Sequence, residues 1–353
     1  MLNKLSMRVR IVCYEDVNAW ILGKFALKMQ EFLIKNGVDA DISNSPSDEV
    51  DINHHIIYEQ FTKSSKNIDT LMVTHIDSLP KLKKLYQSQN DYSLAICMSR
   101  DTMAKLQQFG INKDKLCFVN PAHDNDFLPK KIQIGYMSRR YSDGRKREYL
   151  LRDLFENINP DFFSFKIMGA GWDEIVELGT RKNIDIEYQS TFDLDKYKLM
   201  MSQIDYYLYT GLDEGQMGFV DALATGVKTI VTPQGYHLDV INGIDYSFDS
   251  SDELLEIFRD IYTEKLNRIN SVKSWTWENY TKKHILIWQK LLNIKVQTSL
   301  LHEDYSDGLY SIGVNEDSNR NKYKLFFELL SSTLKRKFFF LIYIVRNKLF
   351  KKG

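Results

Sequence analysis

Cysteine, proline and long apolar runs are all scarce in this chain, and each scarcity excludes something. Three cysteines in 353 residues, Cys13, Cys97 and Cys117, are too few and too scattered for a disulfide framework or a structural zinc site. Their odd, sparse count fits a reducing cytosol. Six prolines exclude a proline-rich low-complexity chain. The longest uninterrupted apolar run near the C-terminus, Phe338 to Val345, has eight residues, against the ~20 of a membrane-spanning helix. The basic start MLNKLSMRVR leads into a short apolar stretch that soon meets acids, so no targeting segment is expected and the protein is expected in the cytoplasm. Net charge is absent too, since 47 basic residues balance 47 acidic ones. No global field draws in nucleic acid, and no nucleic-acid partner is expected. The nucleophile elbow Gly-x-Ser-x-Gly and the phosphate loop ending in Gly-Lys-Ser/Thr are both missing.

The zero net charge hides an asymmetry. Residues 321–353 carry nine Lys or Arg against one acid, Glu328, for a net +8, so the first 320 residues sum to −8. With 43% hydrophobic and 27% charged residues, the composition is that of an ordinary globular protein. The length suggests about two domains. Short apolar runs alternate with helix-period stretches. Val9 to Cys13 reads as a buried strand, and Ile21, Phe25, Met29, Phe32 and Leu33 line one face of a helix that Asn36-Gly37 stops. Further strands are expected at 38–42, 52–58, 70–74 and 94–98, with helices at 81–87 and 102–109. The pattern restarts after residue 126, with strands at 132–137, 165–168, 184–188, 206–209 and 229–231 and helices at 147–156, 194–202 and 218–224. Such alternation argues for an α/β chain with parallel sheets covered on both faces. Two domains are expected, 1–125 and 131–270, with a hinge at 121–131. A helix follows at 251–263, then a return helix at about 276–293. There Trp277, Tyr280, His284, Trp288 and Leu291 form a core-facing stripe that packs back onto the first domain. Residues 295–320 read as a linker and 321–353 as a basic, aromatic tail.

The densest chemistry lies in residues 207–233. A strand runs into a Gly-containing acidic loop, then a helix, then another strand. Gly215 and Gly218 let the backbone approach a ligand closely. A helix starting near Gly218 aims free N–H groups and its positive dipole end into the loop, which suits an anion such as a diphosphate. Asp213 and Glu214 sit in the loop, and Asp221 lies one turn into the helix, on a face that could reach a hydroxyl pair. Upstream, residues 134–148 run from a strand into a basic loop holding Arg139, Arg145 and Lys146, and Phe165 to Trp172 is a strand ending in Gly169-Ala170-Gly171.

These three stretches, in this order over roughly residues 130–265, resemble the C-terminal half of GT-B glycosyltransferases, glycosyltransferase family 4 in particular. Family members carry a Glu, a Gly-rich stretch, a second Glu eight positions on, then Ala-x-Ala-x-Gly and a strand. Here Asp221 to Gly226 matches the second half, and Asp213 stands eight residues before Asp221 with Glu214 beside it. The resemblance implies a GT-B fold, two Rossmann-like domains facing across a cleft, with a C-terminal helical tail added. It also implies retaining transfer of a sugar from a nucleotide diphosphate sugar to a glycan. It assigns Arg139 and Lys146, or Arg145, to the donor diphosphate, where fixed cations stabilise the charge growing on the leaving group. Gly169, Gly171, Gly215 and Gly218 would border the donor and Asp221 would bind its ribose hydroxyls. Asp213 or Glu214 would contact the donor sugar. His75, at a strand end, matches a His that faces the transferred sugar in many relatives; a structural His at a strand tip is the alternative. His54-His55 is a further candidate pair. The first loop, Tyr14 to Trp20, lacks the Gly-rich turn that relatives often have, so acceptor handling must differ.

No metal and no resident cofactor are expected. Three Asp-x-Asp triplets, Asp39/Asp41, Asp124/Asp126 and Asp193/Asp195, carry no information, because 30 aspartates place roughly two to three such triplets by chance. The tail from Lys322 onward suits a helix lying in the headgroup region of an anionic membrane, with docking on the acidic body as the alternative. A lipid-linked glycan acceptor, as in surface polysaccharide assembly, would make that location sensible, peripheral on the inner face of the cell membrane. Two rival readings remain. One is a GT-B-shaped sugar-nucleotide epimerase. The other is a catalytically degenerate homologue acting as a glycan-binding or partner subunit, motivated by aspartate where the family has glutamate.

Overall fold

The computed structural model describes residues 7–64, 66–294, 311–314, 327–332, 334–335 and 337–339. The chain divides into two units: Met1–Asn125 with Lys273–Gly353, and Asp126–Val272.

The first unit is built on β1 (Arg8–Val12), α1 (Ile21–Lys35), β2 (Asp39–Ser43), β3 (Ile52–His55), β4 (Ile68–Val73), α2 (Leu79–Gln87), β5 (Leu94–Cys97), α3 (Arg100–Gln108) and β6 (Leu116–Phe118). Its six strands form one parallel sheet in the order β2-β1-β3-β4-β5-β6. The interior strands β3 and β5 are buried at every position, as strands covered by helices on both faces must be. The apolar run 52–58 does not make one long strand. β3 stops at His55, and a 3-10 turn follows at Tyr58–Gln60.

The second unit comprises β7 (Ile132–Met137), α4 (Glu148–Asn157), β8 (Phe163–Met168), α5 (Asp173–Arg181), β9 (Asp185–Gln189), α6 (Leu194–Gln203), β10 (Tyr206–Tyr209), α7 (Met217–Ala224), β11 (Lys228–Val231), β12 (Tyr246–Ser247) and α8 (Ser251–Asn270). Its parallel sheet runs β12-β11-β10-β7-β8-β9. A capping box starts α8, with Ser250 and Glu253 each bonding the other's backbone N–H. The helix runs on to Asn270, past the expected end at 263. Phe155, Phe163, Phe165 and Phe258 fill the core beneath it.

The last helix, α9 (Trp277–Leu291), belongs to the first unit. Phe25 of α1 meets Trp277 and Tyr280 edge-on, with ring centroids 5.0 and 5.7 Å apart. His54 lies against His284 and Trp288, so His54 is a core residue. His55 is buried as well, between Asp69 (3.0 Å) and the Tyr14 hydroxyl (3.0 Å). The expected linker at 295–320 falls outside the described residues except for 311–314. Of the tail, 327–332, 334–335 and 337–339 are described, and all are helical. Among the described residues no helix is long and apolar enough to cross a membrane.

Candidate functional site

In an open parallel sheet, ligands bind where neighbouring strands send the chain in opposite directions, beyond their C-terminal ends. In the second unit that point lies between β7 and β10. From β7 the chain moves to β8 and β9 on one side; it returns to β10 on the other and continues to β11 and β12. Residues 138–147 leave β7 here and residues 210–216 leave β10.

Hydrogen bonds lace the two loops together. The Tyr136 hydroxyl meets Thr210 Oγ1 at 2.9 Å, Thr210 Oγ1 donates to the Lys146 carbonyl at 2.6 Å, and the Leu212 N–H donates to the Arg145 carbonyl at 2.8 Å. Arg147 holds the joint rigid. Its backbone is left-handed, with φ 46°. Its buried guanidinium donates to the carbonyls of Thr210 (2.7 Å) and Asp249 (2.9 Å) and to Thr232 Oγ1. All three partners are neutral oxygens, and the guanidinium also lies over the Phe248 ring at 5.8 Å.

Lys146 is buried as well, only 5% exposed. Its ammonium donates to the Tyr209 hydroxyl at 2.7 Å and to Asp213 Oδ2 at 2.6 Å, while the Tyr209 hydroxyl donates to the other oxygen of Asp213. Burial by itself would raise the Asp213 carboxyl, but the hydrogen bonds from Lys146 and Tyr209 outweigh it and hold the group below its ordinary value. Burial, and then the bond to Asp213, pushes the Tyr209 phenol well up, so it stays a donor. Three cations surround the Tyr141 ring: Arg145 at 4.6 Å from its centroid, Arg139 at 5.7 Å and Lys146 at 5.8 Å. Arg145 also pairs with Asp143 at 2.5 Å.

The loop that leaves β10 runs into the start of α7. No side chain caps this helix and its first turn holds no acid, so its positive dipole end suits an anion, while the Phe219 N–H donates to the Gln216 carbonyl at 3.0 Å. The Gln216 N–H donates to His237 Nε2 at 3.0 Å, and His237 Nδ1–H donates to the Thr232 carbonyl at 3.3 Å. Burial lowers the His237 pKa, and the neutral ring fixes the loop. Gly215, at φ +123°, has no room for a Cβ, which would fall 2.7 Å from the Tyr236 ring. Gly169, at φ +130°, closes the β8 loop onto the Ser138 carbonyl, and Gly171 lies against Arg140. Gly218 sits under the Tyr207 hydroxyl. Asp221 accepts from the Tyr197 hydroxyl at 2.6 Å.

Of the residues singled out by sequence, Arg139, Arg145, Lys146 and Asp213 therefore come together. Gly215, Gly218 and Asp221 lie on α7 and the loop leading into it, and Glu214 is exposed beside Asp213. His75 belongs to the other unit, at the end of β4. It is exposed, with Nε2 3.2 Å from Asp77. The Asp-x-Asp triplets do structural work: Asp39 and Asp41 pair with Arg8 and Arg10, Asp124 holds Lys24 and the Trp277 indole, and Asp193 caps α6. Among the described residues no group of three or more His, Cys, Asp or Glu is placed to hold a metal ion. Sequence reasoning missed Tyr141, Arg147, Tyr209 and His237. Arg147 stands in the same basic run as Arg145, and nothing in spacing separates a buried arginine from a solvated one.

No family model and no curated protein matches the chain. Among solved structures it is similar to HepE of Anabaena in complex with UDP and glucose. Identity there is 13%, over 81% of this chain and 98% of that one, with a TM-score of 0.30. It is also similar to AviGT4, a glycosyltransferase involved in avilamycin A biosynthesis (11%, 82% and 98%, TM-score 0.32). A third is the catalytic domain of the cholesterol-alpha-glucosyltransferase from Helicobacter pylori (13%, 44% and 98%, TM-score 0.32). Likenesses this distant say nothing of what this chain binds. Its own residues do more: three cations around the Tyr141 ring, two of them paired with Asp143 and Asp213, and a helix start without a side-chain cap suit an anionic ligand.

Proposed function

We propose that the protein is a GT-B glycosyltransferase that moves a hexose from a nucleotide diphosphate sugar to a lipid-linked glycan, with retention of configuration and without a metal. The observation that carries this reading is the gathering of Arg139, Arg145 and Lys146 around Tyr141 at the β7/β10 switch point, in the same unit as the uncapped start of α7.

In the reaction the bond from the anomeric carbon to the diphosphate oxygen breaks and its electron pair leaves with the diphosphate. The acceptor hydroxyl adds to the same face of that carbon, and its proton passes to the departing diphosphate. Charge grows on the diphosphate as the bond lengthens. A fixed donor aimed at such charge lowers the barrier by about 3–4 kcal/mol, and here the cations and the α7 N–H groups share the task. Asp221, oriented by Tyr197, is assigned to the ribose hydroxyls. Asp213 or Glu214 is assigned to the donor sugar, and His75 to a hydrogen bond with a sugar hydroxyl. The basic tail is assigned to an anionic membrane surface, which places the protein at the inner face of the cell membrane.

Thermal unfolding of the full chain in the presence of UDP, GDP, ADP and dTDP tests the reading. One of these ligands at 100 times its Kd adds about 2.7 kcal/mol of stability and a rise of a few degrees in Tm. If none of the four moves the transition, the reading is wrong. A non-catalytic partner subunit is the second reading, favoured by the pairing of Lys146 with Asp213 in place of an open ammonium. It predicts nucleotide or glycan binding with no sugar transfer to any acceptor, including membrane lipid extracts.

A further inference from the structure

A groove of about 530 Å³ opens on the first unit, lined by Leu79, Pro80, Leu82, Lys83, Tyr86 and Phe109. Five of its six lining residues are apolar or aromatic, and the sixth is an exposed lysine. Its floor is α2, whose sequence LPKLKKLYQ places Lys81, Lys83 and Lys84 on a short amphipathic helix. Lys81 is tied to Glu59 (2.9 Å) and Asp77 (3.4 Å), and Lys84 to the Glu59 carbonyl. Among the described residues Lys83 has no such tie, and it lines the groove.

The described part of the C-terminal stretch joins this surface. Leu329 is buried in the same apolar cluster as Leu82 and Leu85 of α2, and the Ser332 hydroxyl lies 3.4 Å from the Asp77 carbonyl, just ahead of α2. Past that anchor the helical residues turn apolar side chains to solvent: Leu334 is 59% exposed, Phe338 63% and Phe339 65%. Lys335 and Lys337 between them are exposed as well. An open apolar groove and a run of exposed aromatics, both fringed by lysines, belong to one unit and are tied together at Ser332 and Leu329.

We propose that α2 and the described helical residues 327–332, 334–335 and 337–339 form one docking face for an anionic lipid surface. The apolar groups enter the acyl boundary while Lys83, Lys335 and Lys337 meet the headgroups. Lipid is favoured over a second protein because the lysine fringe matches an anionic surface and the stretch from 321 to 353 carries a net charge of +8. The inference rests on the membrane assignment of the tail made above and adds α2 to it. It is independent of the donor site.

The test is flotation of the full chain with vesicles of phosphatidylcholine alone or with 30% phosphatidylglycerol. The chain floats with the anionic vesicles and not with the neutral ones. Each lysine near such a surface changes partitioning about fivefold. Lys83→Glu with Tyr86→Ser therefore weakens binding about tenfold or more, and Phe338→Ser with Phe339→Ser does so separately. Circular dichroism melting confirms that both variants fold. Equal binding to neutral vesicles, or none to either, overturns the proposal. Loss in the tail variant alone removes α2 from the face and leaves the tail assignment standing; loss in the α2 variant alone removes the tail. A dimer in sedimentation velocity that the α2 variant abolishes assigns the groove to a second copy and overturns the lipid reading. A Tm rise with a nucleoside diphosphate reports the donor site whatever the vesicles show.

Discussion

Lys146 and Asp213, from loops that leave neighbouring strands in opposite directions, close an ion pair of 2.6 Å at the switch point of the second sheet. The carboxylate occupies an ammonium that the proposed function gives to a phosphate. Asp213→Asn removes that competitor. The variant is expected to bind a nucleoside diphosphate several-fold more tightly by calorimetry. It is also expected to lose about 1–3 kcal/mol of stability, because buried Lys146 loses its carboxylate acceptor. Weaker binding in a folded variant contradicts the competition.

Tyr141 presents its ring to three cations, Arg139, Arg145 and Lys146. Tyr141→Phe keeps the ring face and is expected to change nucleotide affinity by less than twofold. Tyr141→Leu removes the cation–π contacts, each worth about 0.5–1 kcal/mol at an exposed site, and is expected to raise KM for the donor roughly three- to tenfold with kcat nearly unchanged. Equal effects of Phe and Leu would assign the residue a different job.

Arg147 and Arg145 are two residues apart and differ in role. Arg147→Met leaves the Thr210 and Asp249 carbonyls and Thr232 without their buried donor, at a cost of about 3 kcal/mol in urea unfolding. Arg145→Met, at the surface, is expected within about 0.5 kcal/mol of the parent while weakening nucleotide binding. The reverse order of stabilities would show that the loop joint is held elsewhere.

Acid is expected to weaken the first unit. Burial lowers His284 to about 4 and holds His54 well below its usual range. Unfolding frees both rings to take up protons near pH 6.5. Between pH 6.5 and about 4 the unfolded chain binds more protons than the folded one, so stability falls as pH falls. For His284 the full loss is about 3 kcal/mol, reached near pH 4. His284→Gln is expected to flatten that slope in a Tm-versus-pH series; an unchanged slope would mean that other groups set it.

Much of the fold was legible because parallel strands buried on both faces announce themselves as apolar runs. Ile132 to Met137 and Tyr206 to Tyr209 fall where expected, and Asn36-Gly37 does end α1. α5 was not legible: it is short and contains Gly179, which reads as a breaker. The structure gives that glycine a reason, since a Cβ there would collide with Ile186 and Phe155. β6 has only three residues, too few for a periodic signal. At the site, residue type pointed to the cations and to Asp213, but pairing is a three-dimensional fact. No spacing says that Lys146 meets Asp213 across 67 residues, that Tyr141 gathers three charges, or that Arg147 turns inward while Arg145 does not.

Calorimetric titration of the full chain with a nucleoside diphosphate in excess EDTA, beside Lys146→Ala, bears on whether the switch-point cations hold a diphosphate unaided. Binding of the parent without any divalent ion, weakened at least tenfold in Lys146→Ala and nearly absent for the nucleoside lacking phosphates, is the expected result. Binding that needs added metal, or that Lys146→Ala leaves unchanged, would contradict it.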